Sequence, residues 1–224
     1  MSLNDSLPKG GRALDLACGR GRNSIFLARN NFLVDAIDIS PVALRYGVQE
    51  SIKSNLSINW VLADLMEKKP PMRAQITASY DLIVMFRFVS NDLLESLVSM
   101  LAPNGVLISE QHLVRSQKDE ADRIVGPSSN RFRVEKGSLK RTILKASSSV
   151  DIVDEFEGLV QDPDGEVAQV SRICVTRRGL MNSIPVISLH DYRTKGLSGV
   201  DCDALAHACK DHGFFIVERH GGER

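Results

Sequence analysis

No sign of charge dominates this chain: 28 Lys and Arg residues meet 28 Asp and Glu among 224 residues. Without a net field, bulk electrostatics recruits neither DNA or RNA nor an anionic membrane, so none of these is an expected partner. Cysteine is scarce. Cys18, Cys174, Cys202 and Cys209 form no paired framework, which excludes a disulfide-stapled scaffold and points to reduced, cytoplasmic surroundings. No apolar run approaches the ~20 residues that span a bilayer. The opening MSLNDSLPKG lacks the apolar stretch of a secretion signal. Internal repeats and low-complexity tracts are missing too. What the length allows is one α/β domain with a full core plus a small appendage, because a domain of ~150 residues buries roughly two thirds of its unfolded surface.

The apolar residues come as short runs separated by helix-period segments. Residues 13–17, 33–39, 58–63, 81–86 and 106–109 read as strands; continuous runs of this kind suit strands covered on both faces of a parallel sheet. Between them, residues 23–30, 41–54 and 91–101 read as helices, with Ser40 capping a helix that opens on Pro41 and Asn91 capping the next. Pro103-Asn104-Gly105 reads as a turn feeding the fifth strand. Residues 111–136 are polar and charged, with a Gly-Pro-Ser-Ser-Asn breaker at 126–130, and read as a long functional loop or insertion. A short helix at 138–145 follows. Two strands at 150–158 and 167–177, joined by the turn Asp162-Pro163-Asp164-Gly165, then close the domain as a hairpin. The expected fold is a doubly wound, mostly parallel, seven-stranded sheet with an antiparallel hairpin at its end.

Gly19 and Gly21 lie where the first strand turns into the first helix, in Asp-Leu-Ala-Cys-Gly-Arg-Gly-Arg-Asn-Ser. Glycines there admit strained backbone angles and close approach of a ligand. A dinucleotide-binding turn has a third glycine and faces a pyrophosphate. Here the third position is Ser24, and Asp15 lies inside the preceding strand. A carboxylate repels pyrophosphate but attracts ammonium and sulfonium groups, which disfavours a nicotinamide-dependent oxidoreductase. Asp38 ends the second strand near the ~20-residue offset at which an acidic side chain meets a ribose diol. Its alternative role, capping the helix at Pro41, is better served by Ser40. Asp64, ending the third strand, can accept from an adenine amino group; alone it reads equally as a loop aspartate.

These segments, followed by Tyr-Asp-Leu-Ile-Val-Met-Phe-Arg-Phe and Leu-Ala-Pro-Asn-Gly-Val-Leu, resemble class I S-adenosylmethionine-dependent methyltransferases over residues 12–177. The likeness is to the small bacterial branch typified by tellurite-resistance methyltransferases. It implies methyl transfer from S-adenosyl-L-methionine to a small-molecule acceptor. It also implies that the turn at Gly19 and Gly21, with Asp15, Ala17 and Asn23, holds the methionine end of the cofactor. Asp38 with Ile39 would hold the ribose, Asp64 with Leu65 the adenine, and Phe86 with Arg87 the floor beside the methyl. Ala17 stands where that family usually has glycine, and only about eleven residues precede the first strand where the family usually has helical cover.

Methyl transfer needs alignment and water exclusion more than a catalytic triad. Acceptor-side candidates are Arg87, Glu110 and His112, at the carboxyl ends of the fourth and fifth strands, where open α/β sheets bind ligands. The plainer readings are a charge-paired Arg87 and a solvated His112. Cys18 reads as a small buried hydrophobe.

Residues 184–221 restart as strand, helix and strand. They resemble the N-terminal segment of 2-oxoglutarate and iron dependent dioxygenases, which suggests two domains, 1–178 and 179–224; the alternative to an active methyltransferase is a piece of a methyltransferase–dioxygenase fusion that keeps its fold with impaired catalysis. None of the five histidines has Asp two residues on, so the iron-binding His-x-Asp pair is absent. Cys202, His207, Cys209 and His212 are close in sequence, but their helical spacing disfavours zinc, and no metal is expected.

Overall fold

The computed structural model describes residues 8–67, 79–114, 124–162 and 164–179, with strand segments at 186–188 and 216–218. The chain divides into two compact units, Met1–Arg177 and Arg178–Arg224. In the first unit the strands are β1 (Gly11–Leu16), β2 (Phe32–Asp38), β3 (Ile58–Leu62), β4 (Tyr80–Phe86), β5 (Leu101–His112), β6 (Ile124–Val125), β7 (Val150–Gln161) and β8 (Val167–Arg177). The helices are α1 (Arg22–Arg29), α2 (Pro41–Lys53), α3 (Asn91–Ser99) and α4 (Ser138–Ala146).

One sheet runs in the order β3-β2-β1-β4-β5-β8, with β7 on the far side of β8. The first five strands are parallel; β8 is antiparallel to both β5 and β7. The sheet has eight strands rather than seven, because β6 pairs with Val167 and Ala168 just beyond the point where β5 ends. A two-residue strand within a polar stretch carries no periodicity by which sequence could reveal it.

Alternation along the central strands separates two cores. Leu14, Leu16, Ile83, Met85 and Leu107 face one side with Leu93, Leu94 and Leu97 of α3 and Leu139 and Ile143 of α4. Ala13, Val34, Ala36, Leu82, Val84 and Val106 face the other with Leu27 of α1. Each such large side chain contributes roughly 1.5–3 kcal/mol by leaving water. Ser40 caps α2 by accepting from the Ala43 amide at 3.2 Å, as expected. The cap of α3 is Ser90 rather than Asn91. Ser90 has the extended backbone a cap requires, and its hydroxyl accepts from the Leu93 amide at 3.3 Å.

The expected turn at 103–105 is instead a bulge inside β5. Pairing with β4 jumps from Tyr80–Leu101 to Leu82–Val106, and Asn104 takes a φ of 63° to absorb the extra residues. In the second unit Val186–Ser188 (β9) and Ile216–Glu218 (β10) pair in parallel. The expected helix between them, and Cys202, His207, Cys209 and His212, lie outside the described residues. Among the described residues no group of His, Cys, Asp and Glu is arranged to hold a metal. No helix among them is long and apolar enough to cross a membrane.

Candidate functional site

The sheet register aligns the carboxyl ends of four strands. Leu16 pairs with Ile37 on β2 and with Met85 on β4, and Met85 pairs with Ser109 on β5. Asp38, Ala17, Phe86 and Glu110 therefore follow one another along a single edge. With strands ~4.8 Å apart, Asp38 and Arg87 are separated by roughly 10 Å, the breadth of a nucleoside with its side arm.

Leaving β1, the chain turns through Ala17 (φ 53°), Gly19 (φ 56°) and Gly21 (φ 79°), all left-handed. The turn is held by the Cys18 amide donating to the Ile37 carbonyl at 3.0 Å and the Gly21 amide donating to the Cys18 carbonyl at 2.9 Å. The two glycines differ in what surrounds them. A side chain at Gly21 would collide with the ring of Trp60, its Cβ only 2.2 Å from the ring tip, whereas one at Gly19 would meet nothing within 4 Å. The open approach is over Gly19. Asn23, in the first turn of α1, is half-buried.

Asp15 is 1% exposed, and its carboxyl group receives the Ser24 hydroxyl. Burial pushes this carboxyl up to about 6, opposed by the Ser24 hydroxyl and amide and reinforced by the charge of Asp38. The partners are neutral, so an incoming cation would find an uncompensated acid. Asp38 receives the Gly19 amide at 2.7 Å on one oxygen and the Ser40 amide at 2.8 Å on the other, tying the end of β2 to the turn and to the start of α2. A carboxylate has about four acceptor directions, so two remain for hydroxyls. At the end of β3, Asp64 receives the Met66 amide at 2.8 Å, Leu65 is buried, and Ile39 across from them is 62% exposed.

The other half of the edge is ionic. Arg87, at φ 59°, is a non-glycine residue in the left-handed region, a strain that persists only where surroundings impose it. Its amide donates to the Glu110 carbonyl at 2.7 Å. Its guanidinium Nη2 lies 3.0 Å from both Glu110 Oε1 and Asp162 Oδ1, and Nη1 lies 3.1 Å from His112 Nδ1. Glu110, 4% exposed, also takes Arg172, whose Nε is 2.7 Å from Oε2. Arg87, Glu110 and His112 are thus brought together, and the guanidinium is charge-paired. His112 is buried and covered by the Gly126 backbone, where an added Cβ would fall 2.8 Å from its Nδ1.

Three participants escape a reading of the sequence. Asp162 looks like a turn residue, Arg172 a strand residue and Trp60 an ordinary core aromatic. Only the antiparallel return of β8 and the β7–β8 turn bring Arg172 to Glu110 and Asp162 to Arg87.

An open, mostly parallel sheet with an acid-bearing glycine turn at its carboxyl edge defines a Rossmann-like domain. Residues 13–105 match the family model described as a methyltransferase domain. The Met1–Arg177 unit therefore carries a methyltransferase domain and shares its fold with class I S-adenosylmethionine-dependent methyltransferases. A curated relative, YqeM of Bacillus subtilis (strain 168), named provisionally as a methyltransferase, is 33% identical over 119 residues, covering 49% of this chain and 46% of the relative. The chain therefore spans about half the length of that relative. In fold it is similar to TehB from Haemophilus influenzae, at 19% identity and a TM-score of 0.57, covering 75% of this chain and 57% of that one. It is also similar to an S-adenosylmethionine-dependent methyltransferase from Clostridium acetobutylicum ATCC 824, at 15% identity and a TM-score of 0.55, covering 79% and 87%.

Proposed function

We propose that the first unit binds S-adenosyl-L-methionine along the ends of β2, β1 and β4 and transfers its methyl group to a small-molecule acceptor at the ends of β4 and β5. The observation that carries this is the pairing of an open approach over Gly19 with the buried, neutral-partnered acid Asp15 near the end of the strand that leads into the turn. Such an edge suits a ligand that is cationic at one end and a nucleoside at the other; it does not suit a pyrophosphate.

Asp15, Ala17, Gly19, Gly21 and Asn23 hold the methionine end in this assignment. Asp38 with Ile39 takes the ribose through the free acceptor directions of its carboxylate, and Asp64 with Leu65 takes the adenine. Phe86 and Arg87 form the floor beside the acceptor. Bound there, the cofactor supplies a methyl group on a positively charged sulfur, which an acceptor lone pair displaces. The protein's part is alignment and exclusion of water. Phe86 shields the edge, while the ion pairs of Arg87 fix the ends of β4 and β5 relative to each other.

Calorimetric titration of the full chain with S-adenosylmethionine, beside an Asp38→Ala variant and with NADH as a control, tests the reading. Micromolar binding of the first ligand, lost in the variant and not seen with NADH, is expected. A folded chain that binds NADH instead, or binds neither, overturns the proposal.

A further inference from the structure

We infer that Arg87 is the anchor of an acceptor subsite for a carboxylate-bearing molecule, and that Asp162, from the turn between β7 and β8, occupies that subsite as an internal stand-in. The inference rests on the methyltransferase reading and names the class of acceptor it takes.

The charges at the end of β4 and β5 show why. Glu110 is buried and shared, its Oε2 taken by Arg172 and its Oε1 by Arg87. One carboxylate between two guanidiniums leaves one positive charge over, and Asp162 supplies the balancing negative one at 3.0 Å from Arg87 Nη2. The two carboxylates on Arg87 are not alike. The side chain of Glu110 is 5% exposed and sits inside the sheet, whereas that of Asp162 is 30% exposed and belongs to a hairpin turn. The turn is closed by its own backbone: the Gly165 amide donates to the Asp162 carbonyl and the Asp162 amide to the Glu166 carbonyl, each at 2.8 Å. The turn therefore does not depend on Arg87 for its shape. The pair is half-buried, at 24% and 30% exposure, so water reaches both partners and can compete for them, as it cannot at Glu110.

The Arg87 backbone provides a second observation. Its left-handed φ of 59° directs the side chain at the end of a strand, where ligands of α/β sheets bind. An arginine fork matches a carboxylate in shape as well as charge, so a carboxylate is the ligand this group selects. The acceptor's carboxylate is a handle and not the atom methylated: a guanidinium that neutralises it also lowers its nucleophilicity. The reacting atom lies elsewhere on the acceptor, toward Phe86.

The test is calorimetry on the full chain with acetate and benzoate as probes and acetamide and benzamide as uncharged counterparts. The proteins are the natural chain, Asp162→Asn and Arg87→Gln, with Arg87→Lys as a charge-retaining second variant and circular dichroism to confirm folding. If Asp162 occupies the subsite about nine tenths of the time, its removal tightens carboxylate binding about tenfold and leaves amide binding unchanged. Arg87→Gln abolishes the carboxylate response, and Arg87→Lys retains it in part. Equal carboxylate binding by the natural chain and Asp162→Asn overturns the inference, as does binding that survives Arg87→Gln, or no binding to any variant. S-adenosylmethionine titrated into the same samples separates the two ideas. Cofactor binding without a carboxylate response sinks the subsite alone, and a folded chain that binds no cofactor sinks the methyltransferase reading.

Discussion

The ring tip of Trp60 occupies the space that a side chain on Gly21 would need. A Cβ at Gly21 would lie 2.2 Å from Trp60 Cη2, and one at Gly47 on α2 would lie 2.4 Å from the same atom. The indole, held by a 3.4 Å hydrogen bond from its ring nitrogen to Ser51, is wedged between the glycine turn and the helix that follows β2. The protein's own core thus requires a glycine at the second position of the turn. Gly21→Ala is expected to cost about 2–4 kcal/mol, combining left-handed strain with overpacking. Gly19→Ala meets no such obstacle, and its cost is confined to backbone strain of roughly 1–2 kcal/mol. Denaturant midpoints of the two variants decide this; equal losses would show that the ring does not govern Gly21.

Ala17 carries the opposite lesson. At φ 53° it holds a conformation that disfavours any side chain, yet it is not glycine. Ala17→Gly removes a strain of about 1 kcal/mol and adds a comparable unfolded-state entropy, so the net change lies between about zero and 1 kcal/mol stabilising. Ala17→Val, β-branched and intolerant of positive φ, is expected to destabilise clearly. Thermal unfolding of both variants is the check, and a loss of stability in Ala17→Gly contradicts the assignment of strain.

The mostly parallel sheet was open to sequence reasoning because its cause is local. Runs such as Leu82 to Met85 are apolar on both faces, and that pattern belongs to central parallel strands. The acidic ends of β1, β2 and β3 were legible for the same reason, since each follows an apolar run. The ionic cluster was not. Arg87 and Asp162 are 75 residues apart, and Glu110 and Arg172 are 62 apart; only the register of β8 brings them together. The Asn104 bulge and the two-residue β6 escaped likewise, because each is imposed by tertiary pairing against weak local preference.

Asp15 makes the glycine turn sensitive to pH. Its carboxyl, at about 6 when folded against an ordinary 3.8, binds its proton more tightly in the native chain than in the unfolded one. Its contribution is therefore fully present below pH 3.8 and is lost as pH rises through about 6. The loss amounts to about 3 kcal/mol by linkage. Asp15→Asn should consequently be more stable than the natural chain at pH 7, with the advantage disappearing toward pH 4. A cationic ligand reverses the preference by favouring the ionised acid, so S-adenosylmethionine affinity should fall as pH drops below about 6 in the natural chain and be weak at all pH values in Asp15→Asn. Stability curves and titrations at several pH values measure both effects; a flat stability difference between the two proteins would refute the burial argument.

Glu110 is the element on which the ionic half of the edge depends, because it is the buried member of the cluster and serves two arginines. Glu110→Gln keeps the shape but removes the charge that Arg87 Nη2 and Arg172 Nε face at 3.0 and 2.7 Å. Breaking a fully buried pair by removing one partner costs roughly 3–5 kcal/mol. Here both guanidiniums reach solvent, so a loss of about 1–3 kcal/mol is expected. Asp162→Asn removes the half-buried partner, which water already reaches, and should cost at most about 1 kcal/mol. The double variant is informative because Arg87 would then lack both carboxylates. If the two share Arg87, the double loss exceeds the sum of the single ones, since each single variant leaves one counter-charge in place. Urea midpoints for the two single variants and the double variant measure this coupling, and strict additivity would mean that Arg87 does not hold Glu110 and Asp162 at once.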